Sequence, residues 1–355
     1  MNISTVWSTV WPILIAIAVF CLIITIHEFG HFIFAKLFKV RVNEFAVGFG
    51  PAIFKKKRGD TLYALRVLPI GGYCAMEGED EDSDDDRAFC KAPVYKRFLI
   101  VIAGALFNII LGFLIMVIIV ASQPTLSTTT IGEFDENAVS NKCETPLKAD
   151  DTIVKINGRA VYIWDDVCYI LGSDSDGIVN MVVERDGKRV TLDKVQFKLE
   201  EYEGHNVITY DFYVYVKKNG FFTCLKHSLL GTLSMGRLVI MSLVDLCTGK
   251  YGISDLSGPV GVTKVVSGAV STIAANGMNG MRYLLRVLCL ITVNLGIFNL
   301  LPIPALDGSR ALFLVVEGIR RKPVKHEAVV HAIGMFLLLA LMAVLIVKDL
   351  YQWIA

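Results

Sequence analysis

Ile13-Leu14-Ile15-Ala16-Ile17-Ala18-Val19-Phe20 leads, within one apolar run, to His27-Glu28-Phe29-Gly30-His31 and on into Phe32-Ile33-Phe34. Ionisable residues inside a run long enough to cross a bilayer cost kilocalories unless partnered, so this stretch predicts a membrane helix that carries a polar site. On a helix the HExxH spacing puts His27 and His31 one turn apart on one face, able to share a tetrahedral zinc. Glu28, beside them, can take a proton from a zinc-bound water and later hand it to a leaving amine.

A catalytic zinc needs a third protein ligand and keeps its fourth position open. Asp307 is the best candidate, in Asn299-Leu300-Leu301-Pro302-Ile303-Pro304-Ala305-Leu306-Asp307-Gly308, where the prolines interrupt helical hydrogen bonding and let the chain approach a cavity. His326 and His331 lack an adjacent base and read as structural or interfacial.

The rest of the chain supports a multi-pass α-helical membrane protein. Hydrophobic residues make up 54% of its 355 positions, above the share of an ordinary soluble domain. Apolar segments near 6–36, 97–121, 283–316 and 328–352 predict about four transmembrane helices. The first reads as a retained span, because it lacks a basic leader and a small-residue cleavage site. Lys39, Arg41, Lys55, Lys56, Lys57, Arg58, Arg66, Lys91, Lys96 and Arg97 crowd the first loop, and Arg320, Arg321, Lys322 and Lys325 the last turn. The positive-inside tendency then puts both loops in the cytoplasm and both termini outside. It also gives His27 and Asp307 similar depths in two spans running the same way.

Four segments follow: 1–121, two spans with a cytoplasmic-side hairpin and an acidic loop; 122–220, a β-rich domain; 221–282, an amphipathic helix and connector; and 283–355, two further spans. Residues 45–54 and 61–76, joined by the basic 55–60, read as a hairpin near the inner membrane surface, with Gly71 and Gly72 permitting close backbone approach. The acidic run from Glu77 to Asp86 reads as a solvated, mobile linker. Alternating runs with turns at Asn157-Gly158 and Asp186-Gly187 make 126–218 the extracytoplasmic β domain. The basic residues do not form a face that could track nucleic acid. The eight cysteines lack CxxC spacing and read as free thiols, Cys143 and Cys168 being the one pair an oxidising compartment could join.

Together these motifs resemble the site-2 proteases, in particular the bacterial RseP-like branch. Besides HExxH and the Asn299-to-Gly308 stretch, the likeness rests on Gly104-Ala105-Leu106-Phe107-Asn108, Pro69-Ile70-Gly71-Gly72-Tyr73 and Ser257-Gly258-Pro259-Val260-Gly261-Val262, and covers nearly the whole length. The resemblance implies zinc bound by His27, His31 and Asp307, with Glu28 catalytic. It also implies that Asn294 and Asn299, read as lying near one face of the third span, hold the substrate backbone; the hairpin with Gly71 and Gly72 reads as an exposed strand edge that offers an unwound substrate replacement hydrogen bonds. Leu147-Lys148-Ala149-Asp150-Asp151-Thr152-Ile153-Val154-Lys155-Ile156-Asn157-Gly158 resembles the central signature of a PDZ domain, and one such domain fits where close relatives often carry two. Ala149-Asp150 replaces the glycine usual before the aspartate; Ala105 and Ser309 are further departures.

The activity implied is intramembrane cleavage of pre-trimmed single-span proteins, anti-sigma factors or signal-peptide remnants, in a bacterial cytoplasmic membrane. The partners are transmembrane substrates and the lipid bilayer. Two rivals are a non-enzymatic PDZ scaffold and a zinc carrier. The scaffold leaves Glu28 beside paired histidines without a purpose, and the carrier requires metal flux.

Overall fold

The first apolar run forms one helix, α1 (Ile3–Leu37). In the computed structural model, which describes residues 3–79, 81–202, 205–249, 256, 258–322, 324 and 327–354, the chain divides into two units. One is Met1–Ile115 with Leu238–Ala355, the other Met116–Arg237.

In the first unit, α1 leads into β1 (Val42–Arg58) and β2 (Thr61–Met76). The expected hairpin is present, with two differences. Lys55, Lys56, Lys57 and Arg58 lie inside β1, and the turn is only Gly59-Asp60. The two strands also bend back on themselves: Phe45 faces Cys74 on one side and Tyr63 on the other, while Lys55 to Arg58 pair with Ala64 to Thr61. Gly48, at φ 85°, allows the bend, because a Cβ there would lie 2.5 Å from the Leu68 carbonyl oxygen. The sheet follows α1 from Lys36, whose Nζ donates to Thr61 Oγ1 at 2.6 Å, to Cys21, whose Sγ lies 3.7 Å from Gly71 O. At the helical rise this is roughly 22 Å along the helix, so the sheet runs beside the apolar span and not only at its inner end.

The acidic segment is folded, contrary to its reading as a mobile linker. Arg41 donates to Asp85 at 2.8 Å, Arg87 to Asp60 at 2.7 Å, and Asn43 and Ser83 to Glu77 at 2.7 and 2.5 Å. Arg41, the residue before β1, offsets part of the like charge that composition alone makes repulsive. Asp80 lies outside the described residues.

α2 (Val94–Ala121) returns across the apolar layer. α5 (Pro259–Leu300) is not a single rod. Gly277 has φ 51° and ψ −120°, and a Cβ on Gly280 would lie 2.4 Å from Thr272 O. The chain therefore folds back there, and Val266 and Ala269 of the first arm pack with Leu284 and Val287 of the second and Ala16 of α1. The third span, expected to reach residue 316, ends at Leu300. Pro302 and Pro304 offer no N–H, Ala305 takes φ 80°, and Asp307 opens a separate helix, α6 (Asp307–Arg320). α7 (Glu327–Ile354) closes the chain.

In the second unit, β3 (Thr125–Phe134), β4 (Thr152–Ile156), β6 (Ile178–Arg185), β7 (Lys188–Gln196) and β10 (Phe212–Lys218) form a sheet in the order β10-β3-β4-β6-β7. β5 (Arg159–Ala160) pairs with β4; β8 (Lys198–Tyr202) and β9 (His205–Thr209) pair separately. α3 (Trp164–Gly172) covers the core of Ile131, Leu147, Ile153, Ile156, Val167 and Leu171. Both expected turns have positive φ at their two central residues, Asn157-Gly158 and Asp186-Gly187, the geometry that joins twisted strands. Asp150 stands at φ 69°, the conformation glycine would favour in its place. Cys143 and Cys168 are not joined by a disulfide.

α4 (Phe221–Cys247) is the helix expected to be amphipathic. By length and composition it is one of five helices among the described residues that could cross a membrane, against four expected. Its inner face is tied to α3: the fully buried Asp166 accepts from the backbone N–H groups of Tyr162 and Ile163 at 2.8 and 3.2 Å, from Arg237 at 2.8 Å, and from the Ser234 hydroxyl. The Arg237 guanidinium also lies 4.9 Å from the centre of the Tyr162 ring.

Candidate metal centre

His27 and His31 leave the same side of α1, one turn apart, and are almost fully buried. Their Nε2 atoms are 3.2 Å apart. Asp307, at the first residue of α6, places Oδ2 3.0 Å from His27 Nε2 and 3.3 Å from His31 Nε2. A four-coordinate zinc with bonds of about 2.0–2.1 Å holds neighbouring donor atoms about 3.3 Å apart, and these three separations match it. Among the described residues this is the one group of its kind.

The outer nitrogens decide which atoms face the centre. His31 Nδ1 lies 2.8 Å from the carbonyl oxygen of Ile100. A carbonyl only accepts, so Nδ1 carries the proton and Nε2 keeps its lone pair. His27 Nδ1 faces the Asn108 amide at 3.4 Å. Turned so that its oxygen accepts from Nδ1–H, that amide leaves His27 Nε2 unprotonated as well, and the buried Asp307 Oδ2, for which no hydrogen-bond donor is found among the described residues, then meets two further acceptors. Three acceptors converging in an apolar setting fit a cation.

α2 approaches this point as bare backbone. A Cβ on Gly104 would lie 2.3 Å from His31 Nε2 and 2.8 Å from His27 Cε1, and one on Gly30 would lie 2.5 Å from Ala103 O. Gly104 and Asn108 are four residues apart and so face the two histidines together. Sequence reasoning noted their motif without giving it a part in the site; the matching four-residue spacing was the available signal.

Asp307 is held from below and from the side. A Cβ on Gly308 would lie 2.2 Å from Leu301 O, so α6 begins directly against the end of α5. The Ala305 N–H donates to His331 Nδ1 at 3.3 Å, and Ser309 Oγ lies 3.5 Å from His331 Nε2. His326 lies outside the described residues.

Gly72 comes to the other side of Glu28: a Cβ there would lie 3.8 Å from Glu28 Cγ and 2.8 Å from Ala46 O. Residues 72–76 pair with 42–47 along one side, and among the described residues no strand pairs along the other. Gly71, at φ 86°, lets the chain enter this row. Asn294 and Asn299 are not brought to one face. α5 is helical through Leu300, and a five-residue step turns about 140° around the axis. Asn294 Oδ1 is buried, and among the described residues no hydrogen-bond partner is found for it.

The profile of Peptidase family M50 matches residues 15–341. A relative from Clostridium acetobutylicum carrying a zinc metalloprotease name is 36% identical over 341 residues, covering 95% of this chain and 96% of its own. One from Fusobacterium nucleatum, similarly named, is 33% identical over 350 residues, covering 96% and 98%. The regulator of sigma-W protease RasP from Bacillus subtilis is 26% identical over 420 residues, covering 95% and 97%. With a match of this extent over a chain whose apolar helices converge two histidines and an aspartate, the protein belongs to peptidase family M50, the site-2 proteases, and is a membrane zinc metalloprotease.

Proposed function

We propose that this chain cleaves the transmembrane segments of single-span proteins already trimmed outside the membrane, remnants of anti-sigma factors or signal peptides, with His27, His31 and Asp307 holding zinc and Glu28 as general base. The observation that carries the reading is the convergence of three acceptors at zinc-ligand separations one residue from Glu28. Bound there, zinc supplies Lewis acidity to a water and to the scissile carbonyl. His27 and His31 present lone pairs toward the centre, and Asp307 supplies the negative charge. Glu28 accepts the proton of the attacking water and delivers it to the leaving amine.

A helical substrate hides its peptide groups in its own hydrogen bonds and has to unwind before cleavage. The row 72–76 can take an extended segment by strand addition, laying it past Glu28. The depth of the sheet along α1 supports this, because replacement hydrogen bonds are needed where water is scarce.

Four crossings fit this activity: α1, α2, the second arm of α5, and α7, with both termini and the PDZ-like β unit outside. α4 lies along the membrane surface. Were it to cross, Ser234 and Arg237 would draw the polar α3 and its Asp166 into the hydrocarbon. Leu225, Leu229, Leu233, Ile240 and Val244, all exposed, give it an apolar stripe to rest on lipid. The PDZ-like unit, held by α4, serves as a size filter against intact ectodomains.

The test is co-expression of wild type or Glu28→Gln with a tagged single-span reporter. Wild type is expected to release the cytoplasmic fragment and the variant to leave the reporter whole; equal release by both would rule the reading out.

A further inference from the structure

Asp307 reaches the centre from a helix other than the one that carries the two histidines, so the grip on zinc depends on what holds α6. At the first turn of α6, Arg310 Nη1 donates to Glu79 Oε1 at 2.6 Å, with both side chains largely shielded, at 29% and 22% exposure. Glu79 belongs to the acidic segment and follows Met76, the last residue of β2, by three positions. The side-chain link therefore joins the ligand helix to the end of the strand row that passes Glu28.

The rest of this turn is held by other contacts: Leu306 is an N-cap whose side chain cannot cap, Gly308 packs against Leu301, and Ser309 Oγ donates to Leu306 O at 3.0 Å and lies 3.5 Å from His331 Nε2. A further ion pair of α6, Arg97 to Glu317 at 2.6 Å, is at the far end, seven residues beyond Arg310. Charge-assisted hydrogen bonds are short and directional. One placed three residues from a ligand restrains that ligand far more than one ten residues away. The folded state of the acidic segment follows from the same logic: Arg41 and Asn43 hold Asp85 and Glu77 on the sheet, and this presents Glu79 to α6 as a fixed partner.

We propose that Glu79 and Arg310 are a positioning pair: they hold Asp307 within ligand reach of His27 and His31 and tie the substrate-strand end of the sheet to the metal ligand. The inference rests on the reading of His27, His31 and Asp307 as the zinc site. Neither residue touches the reacting atoms; they act through Asp307.

The experiment uses full-length detergent-purified protein and measures zinc retained against a graded chelator, alongside thermal unfolding. The set is wild type, His27→Ala, Glu79→Gln, Arg310→Met, the exchanged pair Glu79→Arg with Arg310→Glu, and Arg97→Met as the control at the far end of α6. Loss of a group that orients a metal ligand weakens binding by about 10- to 100-fold. Glu79→Gln and Arg310→Met are expected to release zinc at chelator concentrations lower by about that factor, the exchanged pair to recover most of the loss, and Arg97→Met to retain zinc as wild type does. Retention unchanged in both single variants, or an equal loss in Arg97→Met, overturns the positioning role while leaving the zinc site standing. If Arg310→Met does not fold, Glu79→Gln alone decides. Wild type holding no more zinc than His27→Ala would overturn the site itself and this inference with it.

Discussion

Asn108 Nδ2 lies 3.4 Å from His27 Nδ1, while the oxygen of the same amide is buried without a hydrogen-bond partner. Turned over, the amide presents its oxygen to His27, where it accepts from a protonated Nδ1 and leaves Nε2 free for a metal. Ile100 O does the same for His31. Each imidazole is thus fixed in the same tautomer by a different acceptor, one a side chain and the other a backbone carbonyl. Asn108→Leu is expected to weaken zinc retention about 10- to 100-fold in a chelator titration, and Asn108→Asp, which still accepts, to lose much less. Equal losses would mean that the amide only fills space.

Gly104→Ala tests the bare backbone of α2. Its methyl would come within 2.3 Å of His31 Nε2, and no shift of a flexible side chain relieves that contact without moving a ligand. Overpacking of this kind costs about 1–3 kcal/mol, taken here directly from the ligand geometry. Zinc content measured by metal analysis should collapse, whereas Gly172→Ala, with nothing within 4 Å of the added carbon, should leave it unchanged.

For Gly72→Ala a separation of effects is expected. The added carbon meets Ala46 O at 2.8 Å and approaches Glu28, so the strand row shifts while the zinc ligands stay in place. Cleavage of the reporter should fall about tenfold or more, a strain and misplacement effect of about 1.4 kcal/mol or more, with zinc retention as in wild type. Loss of zinc in parallel would show that the row supports the metal site instead of the substrate.

Arg237→Met isolates the tie between α4 and α3. Asp166 is fully buried, and without the guanidinium its charge is left with two backbone donors and one hydroxyl. Removing one partner of a buried pair destabilises by about 3–5 kcal/mol, and the 24% exposure of the Arg237 side chain places this case toward the lower figure. Hydrogen exchange should rise across α3 and the first half of α4; unchanged protection there would remove the tie from the account.

The acidic segment should be released by acid. Hydrogen bonds from Arg41 hold the Asp85 carboxyl below its ordinary 3.8, and those from Ser83 and Asn43 hold Glu77 below its ordinary 4.5. Carboxyls with lowered folded-state values contribute stability above their unfolded values and lose it as pH falls through the folded ones. Amide protection over 77–91, corrected for the intrinsic rate, should therefore persist from pH 7 to about pH 4.5 and decline below about pH 4. A decline beginning near pH 6.5 would point to a histidine instead.

Sequence alone determined much of this protein, because its strongest signals are local. Apolar runs long enough to span a bilayer become helices with little dependence on their neighbours, and a four-residue step on a helix places His27 and His31 on one face wherever that helix lies. The Pro302-to-Asp307 stretch announced a break in the same way, through absent N–H groups. Only tertiary structure decided the rest. Gly104 and Asn108 belong to the site because α2 packs against α1, and Glu79 and Asp85 are held because Arg310 and Arg41, distant in sequence, meet them. The expected common face for Asn294 and Asn299 failed on helix geometry, and the expected third span was too long because apolar composition does not mark where one helix ends and another begins. A metal centre gathered from two helices depends on contacts 280 residues apart (His27 to Asp307), and no local pattern encodes the distance between them.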